Sequence, residues 1–234
     1  MIGLLDAYDP EKNREPYHSE YTKLAVDGLK NLTDSSRVQV YKVAQGQMPK
    51  NGSECRLWVI SGSPASVYEE LPWIHQLRNF VIELDSHKYP LLGLCFGHQM
   101  IASALGGKVE KSSKGWGVGT RSFPIVQQKL WMNPSATEIR LIYSHQDQVV
   151  RLPKESDCLG TSPFCEYEMY CKGSHILSMQ GHPEFSKAFA ESRLESRKSH
   201  MPQDIYQTGL ETLKESNDSR LIWTWISNWL NESK

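Results

Sequence analysis

The run Pro90-Leu91-Leu92-Gly93-Leu94 is apolar throughout and passes directly into Cys95-Phe96-Gly97 and a helical stretch over 97–105. A strand with no polar face belongs inside a sheet covered on both sides, the usual situation in parallel sheets. The segments 2–6, 38–43 and 57–60 read as further short strands, and 18–31 and 71–86 carry helical periodicity between them. A polar loop over 7–16 separates the first strand from the first helix. Strand and helix alternating in this order predict an α/β fold with an open, mostly parallel central sheet flanked by helices. In such a sheet, active groups gather beyond the carboxyl ends of the strands. Both Ser61-Gly62-Ser63-Pro64 and Cys95–Gln99 fall at such ends.

After Gly106-Gly107 the texture changes to strands and short turns, with strands expected over 121–126, 139–143, 159–161 and 176–179. From Glu184 onward the pattern is helical again. Leu221, Ile222, Trp225, Ile226, Trp229 and Leu230 recur at three- and four-residue spacing and give the last helix an apolar stripe. That stripe fits packing on the chain's own core or a partner surface. Residues 1–234 are expected to form one domain, with a core over 1–185 and a helical extension over 186–234.

Composition narrows the partners. Lys and Arg number 26 against 27 Asp and Glu, a net charge of −1, so nothing suggests an electrostatic grip on nucleic acid or an anionic membrane. A small molecule is the expected partner. The N-terminus lacks the basic start and apolar core of a signal peptide, and no apolar run approaches the roughly 18 residues that span a bilayer. Five cysteines, at 55, 95, 158, 165 and 171, form an odd set without paired spacing. Free thiols in a reducing compartment are expected, hence a cytoplasmic protein. Cys158, Cys165, Cys171 and His175 can be read as a zinc cluster or as scattered structural thiols; no Cys-x2-4-Cys pair supports the metal. No metal is expected.

Gly93-Leu94-Cys95-Phe96-Gly97 has the form of a nucleophile elbow with cysteine as the nucleophile. The turn from strand to helix is sharp, and larger side chains two residues to either side would collide. Cys95 then stands near the N-terminus of the following helix, whose dipole favours an anion there. The Phe96 N–H is a natural oxyanion donor. A thiolate nucleophile needs a base beside it, and Gln180-Gly181-His182-Pro183-Glu184 supplies one. Pro183 disfavours helix at His182, so His182 and Glu184 are expected on extended chain with the carboxylate orienting the imidazole.

Taken together, these stretches resemble the class I glutamine amidotransferase family over roughly residues 1–185. Gly93-Leu94-Cys95-Phe96-Gly97-His98-Gln99 is similar to the family's Gly-x-Cys-x-Gly-His-Gln, and His182-Pro183-Glu184 to its His-Pro-Glu. Ser61-Gly62-Ser63-Pro64 resembles the Gly-rich oxyanion strand, and Ser144-His145-Gln146-Asp147 the Ser-His-x-Asp turn bordering the glutamine pocket. The resemblance implies a flavodoxin-like fold, a triad of Cys95, His182 and Glu184, and an oxyanion hole from the N–H groups of Gly62 and Phe96. It also implies that Gln99, Ser144 and His145 line the site for the substrate's α-amino and α-carboxylate groups. For His145 a structural turn role stands beside this one, and His98 reads as a helix-packing residue. Gly181 in place of the usual aromatic, and Lys114-Gly115-Trp116-Gly117-Val118-Gly119, resemble free-standing γ-glutamyl peptidase-like members. No ATP-pyrophosphatase motif, as in synthetases such as GMP synthase, follows.

Three functions are compatible with these residues. The first is a stand-alone hydrolase of γ-glutamyl amides, acting on glutamine or a γ-glutamyl peptide through a γ-glutamyl thioester. The second is a glutaminase subunit supplying ammonia to a separate synthetase. The third is a catalytically silent scaffold with the same fold. The extension and Gly181 tilt the reading toward the first. No metal or organic cofactor is required for the thioester route.

Overall fold

A computed structural model of the chain describes residues 1–8, 18–30, 32 and 37–232, apart from the side chains of His18 and Ser19. Most of the loop expected over 7–16, and residue 31 at the end of the first expected helix, lie outside the described residues. The first half runs β1 (Ile2–Leu5), α1 (His18–Lys30), β2 (Val38–Tyr41), β3 (Leu57–Ile60), α2 (Pro72–Ser86), β4 (Leu91–Leu94) and α3 (Phe96–Ala104). Seven strands follow: β5 (Lys108–Lys111), β6 (Gly117–Pro124), β7 (Glu138–His145), β8 (Asp147–Arg151), β9 (Ser156–Gly160), β10 (Met169–Lys172) and β11 (Ile176–Met179). Three helices end the chain: α4 (Lys187–Ser196), α5 (Gln203–Thr212) and α6 (Ser219–Glu232).

The main sheet has seven strands in the order β2-β1-β3-β4-β11-β10-β9. Its first four pairings are parallel, and β10 and β9 then add antiparallel strands at one edge. The mostly parallel sheet expected from the apolar runs is therefore present. Two small antiparallel pairs, β5 with β8 and β6 with β7, stand apart from it.

Side chains alternate across the sheet and supply two cores. Leu57 and Val59 of β3 join Leu92 and Leu94 of β4 on one face, under Leu29 of α1 and Ile222, Trp225 and Trp229 of α6. Trp58 and Ile60 point to the other face and meet Leu77 and Val81 of α2 and Ile101 of α3. The apolar stripe on the last helix is thus turned inward against the sheet. Full burial of one such side chain removes enough apolar surface from water to contribute about 1.5–3 kcal/mol. A third cluster, with Tyr8, Tyr21, Phe185, Phe189 and Leu194, forms beyond the strand ends.

The strand β6 begins at Gly117, earlier than the stretch 121–126 expected from its apolar residues. Its start is glycine-rich because neighbours press close to it. A Cβ on Gly117 would meet the His145 ring at 2.5 Å, and one on Gly119 would meet Gly209 of α5 at 2.8 Å. The strands β5, β8 and β10 had no counterpart among the expected elements.

Candidate active site

The chain reverses sharply between β4 and α3, and Cys95 occupies the corner. Its φ of 52° and ψ of −100° lie in the region that L-residues rarely adopt. The flanking glycines make that corner possible. A Cβ on Gly93 would meet the Gly97 backbone at 2.8 Å, and one on Gly97 would run into the Ile60 carbonyl oxygen at the end of β3. Cys95 is held from below by its own N–H, which donates to the Met179 carbonyl at 3.0 Å. The turn thus locks β4, β3 and β11 together at their carboxyl ends.

His182 and Glu184 sit just past β11, whose parallel pairing with β4 brings that chain end to Cys95. His182 is not helical: its N–H donates to Ile142 on β7 at 2.8 Å, as extended chain would. Its Nδ1 lies 2.7 Å from Glu184 Oε1, and its ring stacks on Phe185 with centroids 3.8 Å apart. Burial opposes a charged imidazole here, but the Glu184 carboxylate, the Cys95 sulfur and hydrogen bonds to both outweigh it. They push the His182 pKa up to about 10. With Nδ1 engaged by Glu184, Nε2 is the ring nitrogen left for Cys95. The carboxylate and the sulfur thus favour a protonated imidazole between them.

Gly181, where an aromatic is usual, has a packing reason. A Cβ there would meet Leu141 at 2.7 Å, because β7 passes directly behind the segment. The last helix supports the same stretch from outside, with Trp223 Nε1 donating to the Pro183 carbonyl at 3.1 Å.

The Gly62 N–H, expected as an oxyanion donor, reaches toward the site but gives its hydrogen to the Tyr21 hydroxyl at 2.5 Å. Phe96, the other expected donor, is the first residue of α3. Gln99 donates from Nε2 to the Asp147 carbonyl at 2.7 Å and to Gln180 Oε1 at 3.0 Å. Gln180 in turn donates to Cys95 Sγ at 3.4 Å. Gln99 is therefore tied to Cys95 through a second amide, and the oxygen of its own amide is what it can offer a ligand.

Ser144 and His145 end β7, and both line a polar cavity with Cys95, Gln99, Ser66 and Asp147. His145 Nδ1 lies 3.1 Å from the Asp147 carbonyl. Burial, with smaller contributions from His182 and Arg121, pushes its pKa down to about 3, so the ring there is neutral. His98 is fully buried, sits 2.9 Å from Ser178 Oγ and packs on Tyr170. Its contacts are those of a packing residue. His175 Nε2 lies 2.8 Å from Asp85 Oδ1 on α2.

A second cavity also borders Cys95. It is lined by Tyr8, Tyr21, Phe185, Phe189, Arg193 and Arg197 and shares Ser63, Ser144 and Arg197 with the polar one. Tyr21, Gln180, Arg193 and Arg197 have no place among the residues singled out from sequence. Only the four-residue spacing of the two arginines signals a shared helix face.

A mostly parallel sheet with a strained cysteine after its fourth strand and a His–Glu pair beyond a neighbouring strand defines an α/β protein of the nucleophile-elbow class. The model of the glutamine amidotransferase class-I family matches residues 17–199. The chain belongs to that family. It is 29% identical over 232 residues to gamma-glutamyl peptidase 4 of Arabidopsis thaliana, covering 95% of this chain and 90% of the relative. Gamma-glutamyl peptidase 3 of the same plant is 28% identical over 221 residues, covering 88% and 89%. Among solved structures, a glutamine amidotransferase from Thermotoga maritima superposes with a TM-score of 0.75 at 19% identity, covering 100% of this chain and 97% of that one. That likeness confirms the flavodoxin-like fold expected from the family resemblance.

Proposed function

We propose that the protein is a free-standing hydrolase of γ-glutamyl amide bonds, acting on small γ-glutamyl peptides through a thioester on Cys95. The observation that carries this reading is His182 held between Glu184 and Cys95, with the sulfur on a strained elbow. The similarity to gamma-glutamyl peptidases over nearly the whole chain, the helical extension included, supports a peptide rather than glutamine alone.

The Cys95 thiolate attacks the γ-carbonyl carbon, and the carbonyl electrons move to oxygen. The Phe96 N–H stabilises that oxyanion, joined by the Gly62 N–H once the Tyr21 hydroxyl gives way. Collapse breaks the carbon–nitrogen bond as the His182 imidazolium hands its proton to the departing amine. His182 then takes a proton from water, and the resulting hydroxide attacks the thioester to release glutamate and the thiolate. Glu184 fixes the imidazole orientation and stabilises its charge, while Phe185 holds the ring plane. Gln99, Ser144 and His145 hold the glutamyl head group in the polar cavity.

A substrate panel on the isolated protein tests this reading: glutamine, glutathione and simple γ-glutamyl dipeptides, with free glutamate as readout. Release of glutamate from the peptides without any partner protein is expected. Turnover of glutamine only, and only when a synthetase is added, would replace the peptidase with an ammonia-supplying subunit. No turnover and an unreactive Cys95 would leave a scaffold.

A further inference from the structure

A side-chain amide can face its neighbours in two ways, and which end meets which neighbour follows from what each can donate or accept. At this site three groups in a row admit one arrangement. The Asp147 carbonyl can only accept, so Gln99 turns its amide nitrogen to it, at 2.7 Å. The same nitrogen faces Gln180, which therefore presents its oxygen, at 3.0 Å. That leaves the Gln180 nitrogen on the side of Cys95, 3.4 Å from Sγ. One backbone carbonyl of β8 thus fixes an N–H donor on the nucleophile.

We propose that Gln180 is a further catalytic residue, whose side-chain N–H holds the Cys95 sulfur as a thiolate before attack and receives it again when the thioester breaks. The inference rests on Cys95 being the nucleophile of the proposed hydrolysis and adds a group that touches its reacting atom. Gln180 is fully buried and directly follows β11. Its backbone N–H donates to the Glu168 carbonyl at 2.9 Å, and the carbonyl of the preceding residue, Met179, accepts from the Cys95 N–H at 3.0 Å. The strand end that carries the donor is therefore the one to which the elbow is bonded. His182 follows two residues later, so one short segment brings both a cation and a neutral donor to the sulfur.

The two groups act differently. The His182 proton leaves with the amine, and the imidazole is then neutral until it takes a proton from water. The Gln180 N–H is never transferred, so it serves the sulfur in both halves of the reaction. In the second half, hydroxide bonds to the thioester carbon, the carbon–sulfur bond breaks, and its electron pair returns to a sulfur that already faces a donor. A hydrogen bond to the charged form of an acid favours that form, and more strongly in a buried site than in water.

Alkylation tests this without any substrate, so the result is independent of what the protein hydrolyses. The rate at which iodoacetamide labels Cys95, read by peptide mapping across a pH series, rises where the thiolate forms. Gln180→Met keeps the length of the side chain and removes the donor. The rise should then move to higher pH by about one unit, the size of an ordinary hydrogen bond to a charged group. The other groups around the sulfur are the same in both proteins: His182 with Glu184, Tyr21 from α1, Arg197 after α4, and His145 and Asp147 at the polar cavity. A purely structural role would lower the denaturation midpoint and leave the rise in place. Gln180→Asn withdraws the amide by one methylene and should shift the rise in the same direction if the methionine variant does not fold. A rise unmoved in a folded variant would overturn the role of Gln180 while leaving Cys95 as the nucleophile. A wild-type Cys95 labelled no faster than the other four thiols would overturn both.

Discussion

The Tyr21 hydroxyl accepts a hydrogen bond from the Gly62 N–H at 2.5 Å and donates toward Glu184 Oε1 at 3.5 Å. One phenol thus connects the oxyanion strand with the acid behind His182. Burial, reinforced by the Glu184 charge, holds its pKa well above the ordinary tyrosine value, so the group stays a neutral hydroxyl. In the resting protein it occupies the Gly62 N–H that the proposed mechanism assigns to the oxyanion.

Tyr21→Phe should therefore leave kcat/KM unchanged or raise it a few-fold, because the oxyanion no longer has to displace the hydroxyl. The same change leaves a buried N–H without its acceptor, and stability should fall by about 1–3 kcal/mol. Steady-state kinetics and chemical denaturation on one preparation read both effects. A loss of activity by two orders of magnitude would mean that the hydroxyl itself stabilises the transition state.

The protonation of His182 sets a pH dependence. In the proposed mechanism the leaving amine needs the His182 imidazolium, whose pKa is pushed up to about 10. Activity should therefore fall as pH rises through that region, giving the alkaline limb of the kcat/KM profile. Glu184→Gln removes the largest single influence that raises this pKa, so the limb should move to lower pH. His98 and His145, both pushed down to about 3 chiefly by burial, stay neutral across this range and contribute nothing to the limb. A limb that does not move in Glu184→Gln would detach the carboxylate from the imidazole's chemistry.

Alkylation should be selective. Burial raises the thiol pKa of Cys55, Cys158, Cys171 and, most strongly, Cys165. Cys95 instead has the His182 ring and the N-terminus of α3 beside it. Iodoacetamide at neutral pH, followed by peptide mapping, should label Cys95 first. Preferential labelling of Cys158, the half-buried one of the five, would contradict this.

Gly97→Ala should cost stability and not only activity. The added methyl would enter the space of the Ile60 carbonyl oxygen and force β3 and α3 apart. Overpacking of that kind costs about 1–3 kcal/mol, and a denaturant midpoint shifted downward with an unchanged slope would report it. A variant as stable as wild type would show that the elbow can open.

The central strands were legible because Leu57–Ile60 and Leu91–Leu94 are buried on every side and so carry no polar residue. The strands β5 and β8 were not. They pair only with each other, β5 is mostly exposed, and a sequence such as Lys-Val-Glu-Lys carries no periodic signal. The strand β10, Met-Tyr-Cys-Lys, is too short for its buried positions to stand out.

The same division holds at the site. Cys95 and the His182–Glu184 pair are local motifs, fixed by a turn and by a proline. Tyr21, Arg193 and Arg197 reach the site only because α1 and α4 pack across the strand ends, and that depends on tertiary contacts spread over the chain. The Gly62 N–H could be predicted to face the site, but the phenol waiting on it could not.

Rapid acid quench during turnover of a γ-glutamyl peptide, followed by intact-mass analysis, can trap the proposed γ-glutamyl thioester on Cys95. A glutamyl adduct should map to Cys95, be absent from Cys95→Ala, and accumulate before glutamate release reaches steady state. Cys95→Ala and His182→Ala should lose about 10³-fold or more in kcat, and Glu184→Gln less. Near-normal hydrolysis by Cys95→Ala, or an adduct on any other residue, would contradict the thioester.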